Sequence, residues 1–65
     1  MAKWASKATH TERHGPIFVQ VNTPVDPRID DIELVAFEGG KVVKKRVFSD
    51  YATVDEAIER LLKSL

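Results

Sequence analysis

Apolar positions alternate with polar ones through the middle of the chain and switch to a helical spacing near its end. In IFVQVN, Ile17, Val19 and Val21 share one parity, and their β-branched character suits a strand. DIELVAFE carries two apolar sets, with Ile32, Leu34 and Ala36 on one parity and Val35 and Phe37 on the other. Gly39-Gly40 then leads into KVVKKRVF. That pair suits a type I′ hairpin turn, in which both central residues need positive φ. From Thr53 the period changes. Val54, Ala57, Ile58, Leu61, Leu62 and Leu65 fall at i, i+3, i+4, i+7, i+8 and i+11, one stripe of an amphipathic helix. Thr53 with Glu56 forms a capping box, and Asp55 adds favourable charge in the first turn. Glu56 with Arg60 and Glu59 with Lys63 are helical ion pairs in the better orientation.

These signals predict an α+β domain over residues 16–65. It is a small three-stranded antiparallel sheet with one C-terminal amphipathic helix packed on one face, in the order β-β-β-α. Residues 1–15, MAKWASKATHTERHG, show neither period, and Gly15-Pro16 punctuates the chain at their end. They are read as a flexible N-terminal arm. Pro24 and Pro27 place a loop in TPVDPRIDD.

A two-residue turn sets the hairpin register. Glu38 should face Lys41, Phe37 should face Val42, Ala36 should face Val43, and Glu33 should face Arg46. The expected core face is then Ile32, Leu34, Ala36, Val43 and Val47, with Lys45 intruding at an edge where its amine can reach water. The opposite face is expected to hold Glu33, Val35, Phe37, Val42, Lys44, Arg46 and Phe48. Phe18 joins them if the first strand pairs alongside.

Length adds one consideration. A 65-residue chain buries a modest core, and with no cysteine it has neither disulfides nor thiolate metal ligands to support it. Self-association or a protein partner is therefore expected. Formal charge is zero, so no strong field draws in nucleic acid or a membrane surface. There is no apolar run of membrane-spanning length and no signal-peptide core behind Met1, which together predict a soluble, cytoplasmic protein.

Candidate chemistry is thin. His10 and His14 flank Glu12, but the zinc-protease pattern needs its glutamate directly after the first histidine. A third ligand would have to come from elsewhere, so no metal site is assigned. Ser6, Ser49 and Ser64 lie in no nucleophile elbow, and both histidines fall in the arm. Asp30-Asp31 reads as turn chemistry and Asp55-Glu56 as a helix start. Gly39-Gly40 is used by its turn and precedes no helix, so no phosphate loop is present. The chain is read as non-catalytic, with no cofactor and no small-molecule substrate.

The outer sheet face is the informative feature. Val35, Phe37, Val42 and Phe48, with Phe18, put apolar surface where one helix cannot cover it, and Lys44 and Arg46 stand among them. An exposed apolar patch marks an interaction site. Apolar residues with an arginine describe a protein interface, and tryptophan is enriched in binding hot spots, which adds Trp4 in the arm. The leading reading is a small protein-binding module, a regulator or inhibitor acting through this face and the arm. Two alternatives stand beside it. Aromatics interleaved with bases also suit single-stranded nucleic acid, and the arm would suit a structural subunit of a larger assembly.

The stretch VFSDYATVDEAIERLLKSL resembles the strand-to-helix junction of HicB-like antitoxins and of short phage proteins that inhibit host RNA polymerase. The resemblance covers under a third of the chain and is carried by Thr53, Asp55, Glu56 and Ala57. The Pro- and Gly-bearing passage of the HicB-like pattern is absent, and the chain is assigned to no family. The resemblance implies that regulators or inhibitors working by protein contact are built on similar frames.

Overall fold

The computed structural model describes residues 4–49 and 53–65. Residues 1–3 of the expected arm and 50–52 of the strand-to-helix junction lie outside the described residues. The order of elements is β1 (Ser6–His14), β2 (Ile17–Pro24), β3 (Ile32–Glu38), β4 (Lys41–Phe48) and α1 (Val54–Lys63). The strands form one antiparallel sheet in the order β1-β2-β3-β4. The fold is thus α+β with a C-terminal helix, but the sheet has four strands where three were expected.

The additional strand comes from residues read as an arm. Gly15-Pro16 is a two-residue hairpin loop, with His14 paired to Ile17 across it. Gly15 has a φ of 63°, and the ring of Pro16 holds the next φ negative. Positive then negative is the sign pattern of a type II′ turn, with glycine at its first central position. Thr9 is the extra residue of a bulge in β1, and its hydroxyl lies 2.6 Å from that of Thr23. Beyond the ladder, the Val25 N–H donates to the Ala5 carbonyl at 2.9 Å.

Gly39 and Gly40 have φ of 61° and 79°, as a type I′ turn requires. Glu38 faces Lys41 and Phe37 faces Val42, as the turn predicts. The register then slips. Val43 is the extra residue of a second bulge, so Ala36 faces Lys44, Leu34 faces Arg46, Glu33 faces Val47 and Ile32 faces Phe48. A one-residue slip moves every later side chain to the other face. Val43 and Val47, expected in the core, are exposed. Phe48 takes the core position instead, at 8% exposure.

Between β2 and β3 the chain turns over Asp26–Ile29. Asp26 accepts from the Ile29 N–H at its carbonyl and from the Arg28 N–H at its side chain, and Pro27 lies between them. Proline second after aspartate suits a type I turn.

The core lies between the sheet and α1. It comprises Val19, Val21, Ile32, Leu34, Ala36, Phe48, Ala57, Ile58 and Leu61, with Ile17 and Leu62 against its margin. Each large apolar side chain buried there contributes about 1.5–3 kcal/mol. Thr53 caps the helix by accepting from the Glu56 N–H at 3.1 Å. The expected ion pairs form, Arg60 to Glu56 at 2.7 Å and Lys63 to Glu59 at 2.9 Å. Val54 and Leu65, at the two ends of the stripe, are exposed.

Candidate protein-binding face

Alternation along paired strands sorts the outer face into three cross-strand rows. Nearest the two hairpin turns, Arg13, Phe18, Phe37 and Val42 follow one another from β1 to β4. The middle row is Thr11, Gln20, Val35 and Lys45. The third is Ala8, Asn22, Glu33 and Val47. Phe18 and Val42 are each 47% exposed and Val47 is 46% exposed, while Phe37 is half-buried between its neighbours. Two aromatic rings thus sit side by side on the central strands, flanked by an arginine and a valine.

Three polar side chains on this face are tied together. The Gln20 amide donates to the Asn22 side-chain oxygen at 2.8 Å, and the Asn22 amide donates to Glu33 at 3.1 Å. Glu33 and Val35 are buried among their neighbours. Val35 is only 5% exposed, so it supports the face from beneath and offers a partner little surface.

The residues expected to share this face do not all stay together. Phe18, Phe37 and Val42 lie on it, with Val35 buried among them. Lys44, Arg46 and Phe48 are on the helix side, a correction caused by the Val43 bulge. Lys44 donates to the Ser64 carbonyl at 2.9 Å, where a cation meets the negative end of the α1 dipole. The Arg46 guanidinium lies 5.4 Å from the centre of the Phe48 ring, a cation–π contact on the helix side. Trp4 is half-buried, two positions before β1.

Arg13, Lys45 and Val47 are outer-face residues that the sequence pattern did not place there. Arg13 was hidden in the supposed arm, although a two-residue turn at Gly15-Pro16 would have set it opposite Phe18. Lys45 and Val47 were placed in the core by a hairpin register without a bulge.

On the helix side, β1 presents His10, Glu12 and His14 in one line. Glu12 meets a His10 ring nitrogen at 2.6 Å and a His14 ring nitrogen at 2.9 Å. These two hydrogen bonds, His10 first, hold the Glu12 carboxyl below the usual glutamate range. Beside them a cleft of about 350 Å³ opens between β1 and α1, lined by Glu12, His14, Asp55, Ile58, Glu59 and Leu62. Glu59, paired with Lys63, is likewise held below its ordinary value. Among the described residues, no group of three or more His, Asp or Glu is arranged to hold a metal ion, and no helix is long and apolar enough to cross a membrane.

Comparison with protein-family models, with curated proteins and with solved structures finds no match to this chain.

Proposed function

We propose that this chain is a small, non-catalytic protein-binding module, a regulator or inhibitor, whose docking surface is the outer face of the sheet. The observation that carries the reading is the row Arg13–Phe18–Phe37–Val42, with Val47 two rows away on the same face. It has the make-up of an interface centre, in which aromatic anchors are bordered by an arginine and aliphatic side chains. Contiguous apolar surface of this kind marks interaction sites on small soluble domains.

The nucleic-acid alternative is weaker on this geometry. Lys44 and Arg46, the bases expected beside the aromatics, lie on the helix side. The face keeps Arg13 and Lys45 against Glu33, and the chain as a whole carries no net charge. A backbone-tracking site needs more cation density than that.

Salt titration with face variants tests the reading. Capture of a protein ligand by the immobilised chain should persist at about 0.5 M salt, where phosphate contacts are largely lost. It should fall with Phe18→Ala and survive Lys63→Ala on the helix surface. Binding of single-stranded oligonucleotide that collapses over the same salt range would favour the nucleic-acid reading. Capture indifferent to Phe18→Ala would remove the face as the site.

A further inference from the structure

Resting on that reading of the sheet face, we infer that its protein partner is a second copy of this chain, packed face to face about a two-fold axis parallel to the strands and midway between β2 and β3. An isologous contact must be self-complementary, because every residue that touches its partner is touched in return. The rows pass that requirement. The proposed axis reverses each row onto itself, so β2 lies over β3 of the other copy and β1 over β4.

In the first row, Phe18 then meets Phe37 of the second copy twice over, once on each side of the axis, as two aromatic stacks. Arg13 meets Val42. In the third row the Asn22 amide, a donor, meets the Glu33 carboxylate, an acceptor, and Ala8 meets Val47. In the middle row Lys45 meets Thr11. No charge faces a like charge anywhere in the pattern.

The other in-plane two-fold, perpendicular to the strands, fails. It sets the first row against the third, so Phe18 meets Asn22 and Phe37 meets Glu33, and both aromatic stacks are lost. Aligned sheets pack about 10 Å apart with strands near −30° to one another. That rotation displaces the outer rows by less than one strand spacing, so the pairing of β2 with β3 survives it.

Area points the same way. Four strands about 4.8 Å apart and about seven residues long present a face of roughly 20 × 23 Å. Counted on both copies with side-chain relief, this approaches the roughly 1,200 Å² at the lower end of stable interfaces. A face at that lower end suits a weak, reversible dimer. Association also supplies what so small a chain lacks. Its single core is supported by neither disulfide nor metal ligands of the thiolate class, and a second copy would cover the remaining apolar surface.

The test is sedimentation of the full chain over a concentration range to about 1 mM, with isotope-filtered NMR on a mixed-label sample. The wild type should dimerise. Phe18→Glu should weaken the dimer roughly 30-fold or more, as loss of a central aromatic does, while the introduced carboxylate lies harmlessly beside Arg13. Val42→Lys is the second variant, should Phe18→Glu fail to fold, and should weaken association about tenfold. Ala8 and Val47 stand at opposite edges of one sheet, about 14 Å apart across three strand spacings. A nuclear Overhauser contact between their methyls can arise only across the proposed axis. A wild type monomeric at 1 mM overturns the second copy as occupant, and the protein-contact reading then stands or falls on its own salt titration. A dimer indifferent to both variants, or with intermolecular contacts confined to the β1 or β4 edge, overturns the proposed pairing.

Discussion

The helix-side face and the outer face of the sheet are drawn from the same four strands, yet they differ in where their large side chains can go. On the helix side the two central strands contribute Val19, Val21, Leu34 and Ala36 to a core closed by Ala57, Ile58 and Leu61. Its charged groups stand at its margins, Glu12 on β1, Lys44 and Arg46 on β4, and Glu38 at the hairpin end of β3. The outer face inverts that plan. Its polar groups, Gln20, Asn22 and Glu33, are tied together across the central strands, and Phe18 and Val42 remain half exposed. A covered face concentrates apolar residues at its centre and charge at its margin. A face that keeps its rings exposed in a row gains little folding energy from them, and that surface is available for association.

The largest test of this contrast is Leu61→Ala. Leu61 is fully buried, so the substitution should cost about 3–4 kcal/mol through lost burial and a residual cavity. Thermal melts should show a large drop in midpoint or loss of the cooperative transition; an unchanged melt would dissolve the distinction between the faces. Phe48→Ala comes next, at about 3 kcal/mol, the low end for phenylalanine because Phe48 lies on an edge strand. Chemical denaturation measures it directly. A near-neutral result would mean that Phe48 faces outward and that β4 runs without its bulge.

Smaller effects sharpen the outer side of the comparison. At a concentration where the chain is monomeric, Phe18→Ala should cost only about 1 kcal/mol, since the ring is half exposed and pairs across strands with Phe37. Denaturation under those conditions that instead showed a core-sized loss would place Phe18 in the fold's own packing. The smallest effect concerns Glu12, at the uncovered margin of the helix side. Its folded pKa is depressed, so its contribution is fully present above the unfolded glutamate value of about 4.3 and is lost as pH falls through the depressed folded value. Glu12→Gln should remove that part of the acid dependence, with a small loss of stability near pH 7 and none below the depressed folded value. Melts between pH 2 and 5 on both proteins would show it as a shallower slope in the variant.

What the pattern of residues could reveal depended on where water reaches. The helix, its cap at Thr53 and its ion pairs were legible because one face of α1 is covered and the other is wet, which forces a 3.6-residue stripe. The Gly39-Gly40 turn was legible because positive φ at two successive positions selects glycine. Strand β1 was not legible. Its two faces carry Thr11 and Arg13 on one side and His10, Glu12 and His14 on the other, because neither face of this edge strand is covered. With no apolar row there is no alternation to read.

The outer surface was half legible for a related reason. KVVKKRVF places Val42 and Val43, and again Val47 and Phe48, on adjacent positions, so both parities carry an apolar residue and either register satisfies the pattern. Tertiary packing chose between them. Slipping one residue at Val43 brings the larger Phe48 opposite Ile32 against the helix and releases Val47 to the open face. Local sequence thus determined the turns and the helix, through contacts within a few residues, and the apolar set of the two central strands, through its two-residue alternation. The fourth strand, the bulge and the row joining Arg13 to Val42 depended on which edges the single helix leaves uncovered, and only the assembled sheet decides that.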